Sequence, residues 1–217
     1  MRILDLFCGA GGAAMGLHRA FPEAEIVGVD IKPQPRYPFT FVQADVMEQF
    51  DSASAHLCSF DFVWASPPCQ AWTAMQRCNY AKKEHPKLIT PVRAALMKSE
   101  VPYVIENVPG APIRRPTVLC GLMFGLRVLR HRLFETSFAT LAPAHITHPK
   151  QAKVRGVTTQ EHLDSLGFIG FTTSSNIREF RKAMGCEWMN MAEARQAIPP
   201  AYSEYIANQF KESQRCA

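Results

Sequence analysis

The chain has 217 residues, 47% of them apolar and 20% charged, with a formal charge of +5. That length and balance exclude a disordered chain and fit one sizeable core carrying a small insertion. No uncharged apolar run approaches the roughly 18 residues that span a bilayer, and an apolar strand begins directly after Met1-Arg2, so a soluble protein of the cytoplasm is expected.

Arg2–Phe7 reads as a first strand running into Cys8-Gly9-Ala10-Gly11-Gly12. Ala13–Phe21 has helical spacing, with Ala13, Leu17, Ala20 and Phe21 on one side, and Pro22 marks its exit. Glu25–Asp30 is a second strand, followed by a loop with Pro33, Pro35 and Pro38. Phe39–Val42 is a third strand, ending at Ala44-Asp45, and Phe60–Ala65 is a fourth. Thr90–Ser99 reads as a helix, Pro102–Val108 as a fifth strand and Arg132–Phe138 as a later one. Strands alternating with helical patterns predict an α/β sheet in parallel order over residues 1–138. Residues 139–175 lose the pattern and read as a small loop-rich unit with Pro143, His145, His148 and Pro149 among basic residues. Residues 176–217 return to the core, with a helix from the cap Asn176 to Met184 and a closing helix Ala201–Lys211 after Pro199-Pro200.

The seven cysteines form no CxxC pair, and their number is odd, so neither a disulfide framework nor a zinc site is signalled. His145 and His148 have no cysteine pair beside them, and no metal is expected there. Charge is unevenly spread. Between Ala111 and Val157 stand Arg114, Arg115, Arg127, Arg130, Arg132, Lys150, Lys153 and Arg155 against one acid, Glu135. Such a block is the footprint of a polyanion-binding face, and the alternative is a solvated basic surface.

Gly9-Ala10-Gly11-Gly12-Ala13-Ala14 fits G-x-G-x-x-A between a strand and a helix, and Asp30 ends the next strand about 20 residues on. This is the geometry of a nucleotide pocket, and it fits a nicotinamide cofactor as well as S-adenosylmethionine. Ser66-Pro67-Pro68-Cys69-Gln70 follows the fourth strand. The two prolines stiffen the loop and hold Cys69 where open α/β sheets keep their ligands. Glu106-Asn107-Val108 ends the fifth strand, and Glu106 then shares a sheet edge with Cys69 if those strands are neighbours. A thiol beside a carboxyl can attack an electron-poor ring while a ring nitrogen is held by a proton donor.

In order along the chain, these motifs resemble the C5-cytosine DNA methyltransferase family. Asp5-Leu6-Phe7-Cys8-Gly9-Ala10-Gly11-Gly12 is similar to its cofactor motif, Pro68-Cys69-Gln70 to its catalytic loop and Glu106-Asn107-Val108 to the motif that holds cytosine. Arg130-His131-Arg132 resembles the basic motif that follows, and Tyr205-Ile206-Ala207-Asn208 the closing motif. The resemblance implies a Rossmann-like S-adenosylmethionine-dependent methyltransferase sheet with residues 139–175 as a short target-recognition unit. It implies Cys69, Glu106, Arg130 and Arg132 as catalytic residues, with the arginines favouring the Cys69 thiolate. The cofactor would rest on Phe7, Gly9, Gly11, Gly12, Asp30, Ile31, Asp45, Pro67 and Asn208. The base and its strand would meet Pro68, Gln70, Asn107, Val108, Lys150, Lys153 and Arg155.

The implied reaction moves a methyl group from S-adenosylmethionine to C5 of a cytosine flipped out of double-stranded DNA, through a Cys69–C6 adduct. Structured RNA such as tRNA is the alternative substrate, and a catalytically silent nucleic-acid-binding relative is the third reading. A restriction enzyme or specificity partner, in a bacterial or phage-infected cell, completes the expectation. Two departures stand out: Val128 where the basic motif commonly begins with Gln, and Ala207 where Gly usually precedes Asn208. Trp72 faces either the base or the core.

Overall fold

The structure, a computed structural model, describes residues 1–51, 57–72, 84–145 and 177–215. The strands are β1 (Arg2–Leu6), β2 (Glu25–Asp30), β3 (Thr40–Gln43), β4 (Phe62–Ala65), β5 (Tyr103–Asn107), β6 (Thr117–Leu119) and β7 (Arg132–Thr136). The helices are α1 (Gly12–Ala20), α2 (Val46–Asp51), α3 (Ile89–Ser99), α4 (Ile177–Met184), α5 (Met191–Gln196) and α6 (Pro200–Arg215). The seven strands form one sheet in the order β3-β2-β1-β4-β5-β7-β6. The expected α/β fold is present, and β4 and β5 are parallel neighbours, with Ala65 opposite Ile105.

The all-parallel order is corrected at one strand. β7 runs antiparallel to both β5 and β6. No helix crosses over between β6 and β7; the link is only a 3-10 turn, Gly121–Phe124, and open loop. A short link cannot carry the chain back to the starting edge, which a parallel neighbour requires. The reversal has a functional result. It brings the first residue of β7, Arg132, to the edge where β5 ends.

The central strands are buried on both faces, which explains their largely apolar runs, broken by Asp5 in β1 and ended by Glu106-Asn107 in β5. On one face Ile3, Phe62, Trp64, Val104 and Phe134 pack with Leu17 of α1 and Tyr202, Ile206 and Phe210 of α6. On the other, Leu4, Leu6, Val63, Ala65 and Ile105 pack with Ile89, Val92 and Leu96 of α3. Each fully buried large side chain contributes about 1.5–3 kcal/mol over an exposed one. α1 and α6 lie side by side at very short range: a Cβ on Gly16 would stand 2.1 Å from both the Pro200 carbonyl and Ser203 Oγ. Ser203 Oγ donates to the Ala13 carbonyl at 2.8 Å, fixing that contact.

Candidate active site

β1 leaves the sheet through Phe7, whose φ of 57° is left-handed, and then Gly9 and Gly11 at φ 50° and 84°. For a bulky residue such as Phe7 that conformation is strained, by about 1–3 kcal/mol, and such strain concentrates at functional sites. A Cβ on Gly11 would lie 2.7 Å from Pro38 Cδ, so glycine is needed for space as well as for φ. Nothing lies within 4 Å of the Cβ direction of Gly9, so the loop faces open space there. Asp30, at the end of β2, accepts from Gly9 N–H at 3.0 Å and from Lys32 N–H at 2.9 Å. Its two oxygens are thereby oriented beside the loop. Ile31 follows as an apolar side chain 61% exposed. Asp45 accepts from Met47 N–H at 2.8 Å and so also starts α2.

The catalytic candidates meet at the same sheet edge. Cys69 is half-buried at the end of the Pro-Pro loop, and its carbonyl accepts from Trp72 N–H at 2.9 Å. Glu106 is buried and paired with Arg132, whose Nε lies 3.1 Å from Oε1. Ser66 donates to the Glu106 carboxyl and accepts from Trp64 Nε1–H at 3.0 Å. Asn107 is buried, donates Nδ2–H to the Pro67 carbonyl at 2.8 Å and accepts from Val108 N–H. Its amide is thus used to brace the catalytic loop on β5. Pro67 is buried beneath this bond, whereas Pro68 and Val108 are half-buried and Gln70 exposed.

Burial pushes the Glu106 carboxyl above the usual carboxylate range, against Arg132, the Ser66 hydrogen bond and Arg130. Burial, and then the Glu106 carboxylate, also push the Cys69 thiol up. Arg132 and Arg130 pull it down but do not win. The two arginines favour the Cys69 thiolate as expected, but burial and the Glu106 carboxylate outweigh them and the thiol is pushed up on balance. Arg130 is buried, with Nη2 donating to the Arg195 carbonyl at 2.8 Å, and its own carbonyl accepts from the Tyr202 hydroxyl. Burial and neighbouring Arg132 lower its pKa.

Several expected residues lie elsewhere. The first turns of α6 sit by Gly12 and Gly16, while Lys211 Nζ reaches the Ala20 carbonyl and Phe210 meets Phe21 at the far end of α1. Asn208 is exposed near that far end, eight residues or about 12 Å along α6 from Pro200, away from the glycine loop. It is Ile198 and Ala197 that back the loop at Gly12. Pro199-Pro200 was the sequence signal for this contact. Ala207 is fully buried in the α1–α6 core and Val128 is buried against Phe180 and Met184, so both departures are packing positions. Trp72 packs against the α3-side core. Lys150, Lys153, Arg155 and His148 lie outside the described residues.

Sequence reading placed Asp5 in the cofactor motif but missed its partner Tyr37. Asp5 is fully buried, accepts from the Tyr37 hydroxyl at 3.3 Å, and is pushed up to about 8, chiefly by burial. Glu135, the one acid of the basic block, is buried. It takes a two-pronged bond from Arg93, at 2.6 and 2.7 Å, and another from Arg114 N–H. It therefore spends its charge on buried Arg93, while Arg114, Arg115 and Arg127 are exposed.

The family model described as C-5 cytosine-specific DNA methylase matches residues 1–114, more than half of the chain. The chain belongs to this family. The match includes Cys69 and Glu106, whereas Arg130 and Arg132 lie beyond it. Among solved structures, the Entamoeba histolytica methyltransferase EhMeth superposes with a TM-score of 0.53 at 11% identity, covering 98% of each chain. This likeness shows the fold. A hypothetical protein of Thermus thermophilus reaches a TM-score of only 0.37 at 20% identity, covering 62% of this chain and 74% of its own. A chain of a fibrillarin/Nop5p complex reaches 0.39 at 12%, covering 61% and 70%. No curated protein matches the sequence. No helix among the described residues is long and apolar enough to cross a membrane.

Residues present fit the methyl donor of this family. The open side of Gly9 leaves room for it, Asp30 offers oriented oxygens for ribose hydroxyls, and Ile31 offers an apolar face for adenine.

Proposed function

We propose that the chain methylates C5 of cytosine in duplex DNA, using S-adenosylmethionine and a covalent Cys69–C6 adduct. The observation that carries this reading is Cys69 and the Arg132-held Glu106 at the ends of adjacent strands, beside the glycine loop.

Bound S-adenosylmethionine supplies an electrophilic methyl group. The cytosine enters the site flipped from the stack, at a cost of a few kcal/mol. The Cys69 thiol gives up its proton as its sulfur bonds to C6, the C5–C6 π pair shifts toward C4, and N3 takes the Glu106 proton. C5 thereby becomes the nucleophilic carbon of an enamine. Arg132 keeps the Glu106 carboxyl aimed and balances the negative charge left on it. After methylation the C5 proton leaves to solvent, the C6–S bond breaks to release the Cys69 thiolate, and N3 returns its proton to Glu106. Asn107 holds the loop so that the sulfur keeps its place.

Arg114, Arg115 and Arg127, with Lys150, Lys153 and Arg155, supply cations for the DNA backbone. A restriction enzyme or specificity partner, in the cytoplasm of a bacterial or phage-infected cell, belongs to the same proposal. The test incubates the protein and labelled S-adenosylmethionine with duplexes of varied sequence and, separately, with structured RNA. Label on DNA cytosine is expected. Label on RNA alone, or on neither, overturns the proposal.

A further inference from the structure

β6 ends at Leu119, and Cys120 follows directly as the chain turns away through Gly121–Phe124. The chain returns at His131, one residue before β7. The arm leaving β7 folds back so that the His145 ring stacks on His131, with centroids 5.3 Å apart and planes 27° apart. Their Nε2 atoms are 3.1 Å apart. Cys120 Sγ and one nitrogen of each ring all lie within 4.8 Å of one another. Cys120 is buried, His131 half-buried and His145 exposed, so the sulfur forms the floor of the cluster and an imidazole its mouth.

We propose that Cys120, His131 and His145 form a site for a divalent cation that prefers sulfur and imidazole, zinc above all, clamping the arm that leads out of the sheet after β7.

The donor set decides the metal class. One thiol and two imidazoles, with no carboxylate in the cluster, suit zinc and exclude the oxygen-loving magnesium and calcium. Bond lengths of about 2.3 Å to sulfur and 2.0–2.1 Å to nitrogen place tetrahedral ligand atoms about 3.3–3.6 Å apart. The His131–His145 separation of 3.1 Å is already close to that edge, and all three ligand atoms lie within 4.8 Å of one another. Burial, the largest effect, pushes the Cys120 thiol above its ordinary range, against backbone hydrogen bonds of Leu122, Gly121 and Arg130. On binding, a metal–sulfur bond forms, the Cys120 proton passes to solvent, and the two imidazoles bind as neutral ligands in place of their mutual hydrogen bond. A fourth position is left for water or one further ligand.

The site corrects the expectation of no metal. That expectation looked for a cysteine beside His145 in sequence, whereas the β6–β7 turn supplies one 25 residues earlier. Its place gives it a task. His131 stands between Arg130 and Arg132, so a bound ion ties the arm to the backbone that carries both arginines.

The experiment strips the full chain with a chelator under reducing conditions. It then titrates zinc against a chromophoric competitor and records cobalt spectra. One equivalent is expected, with a thiolate-to-cobalt charge-transfer band. Cys120→Ser should abolish that band. His145→Ala, at an exposed position, should weaken zinc by more than the roughly tenfold typical of losing an outer-shell partner. Zinc should raise the melting temperature of the wild type but not of His145→Ala. No binding at micromolar zinc, or a band that survives in both variants, overturns the site. If Cys120→Ser does not fold, His145→Ala decides alone: unchanged zinc affinity overturns it.

Discussion

Replacing Glu106 with glutamine separates the two jobs given to this side chain. The amide keeps the volume and offers N–H to the N3 lone pair, but it has no proton to give. A positioned general acid contributes roughly 10²–10⁴ in rate, so single-turnover methyl transfer should fall by that factor, about 2.7–5.4 kcal/mol in barrier. The change also removes the carboxylate 3.1 Å from Arg132 Nε, whose side chain is only 14% exposed. Breaking a buried pair costs about 3–5 kcal/mol, and the remaining exposure places this one at or below the lower figure, so folding must be checked by circular dichroism. The pH profile gives the sharper readout. Catalysis needs one proton shared between Cys69 and Glu106, with the sulfur anionic when it attacks. For the wild type, kcat/KM should be level between the raised pKa of Glu106 and the raised pKa of Cys69. It should fall on the acid side as both become protonated and on the alkaline side as both lose protons. In Glu106→Gln only the thiolate matters, so the rate should climb with pH to a plateau. Its midpoint should lie lower than the wild-type alkaline limb, because the Glu106 charge that raised the thiol is gone. A variant within threefold of wild type, or one that keeps both limbs, would refute the assignment of Glu106 as the proton donor.

Gly16→Ala should destabilise the chain by about 1–3 kcal/mol in urea unfolding, because the new methyl meets the Pro200 carbonyl and Ser203 Oγ at 2.1 Å; an unchanged midpoint would contradict the packing. Glu135→Gln leaves buried Arg93 without its carboxylate and should cost about 3–5 kcal/mol by the same measurement, with little loss expected for the surface change Arg115→Gln. Asn107→Ala frees the Pro67 carbonyl and should lower kcat more than it raises KM, since it loosens the loop carrying Cys69. If about five cations meet phosphates, the log–log salt dependence of DNA affinity should have a slope of roughly −4 to −5; a flat response would contradict the basic face.

Much of the fold was legible because the parallel strands β1, β2, β4 and β5 supply the buried core and read as largely apolar stretches with few charged positions. The three-residue β6 was not, since so short an edge strand carries no period. α5 was missed for a similar reason, although Asn190 caps it with Glu193 in a reciprocal pair that the sequence displays. Cys69, Glu106 and the glycine loop announced themselves as motifs that end strands. The bracing of the loop by Asn107 did not, because an amide after a catalytic acid shows no partner in sequence, and only the 2.8 Å bond to the Pro67 carbonyl reveals it. Asn208 failed because helical residues eight apart lie at different levels of the molecule. The balance of effects on the Cys69 thiol was likewise invisible: charges can be counted in a sequence, but burial, the largest contribution, cannot.

Covalent trapping tests the central claim most directly. Full-length protein is incubated with S-adenosylmethionine and duplexes carrying 5-fluorocytosine, where fluorine replaces the C5 proton that must leave. The adduct is then mapped by mass spectrometry. The account predicts a stable protein–DNA adduct on Cys69, dependent on the methyl donor and absent in Cys69→Ala. An adduct on another cysteine, or none on a duplex whose ordinary cytosine is methylated, would contradict it.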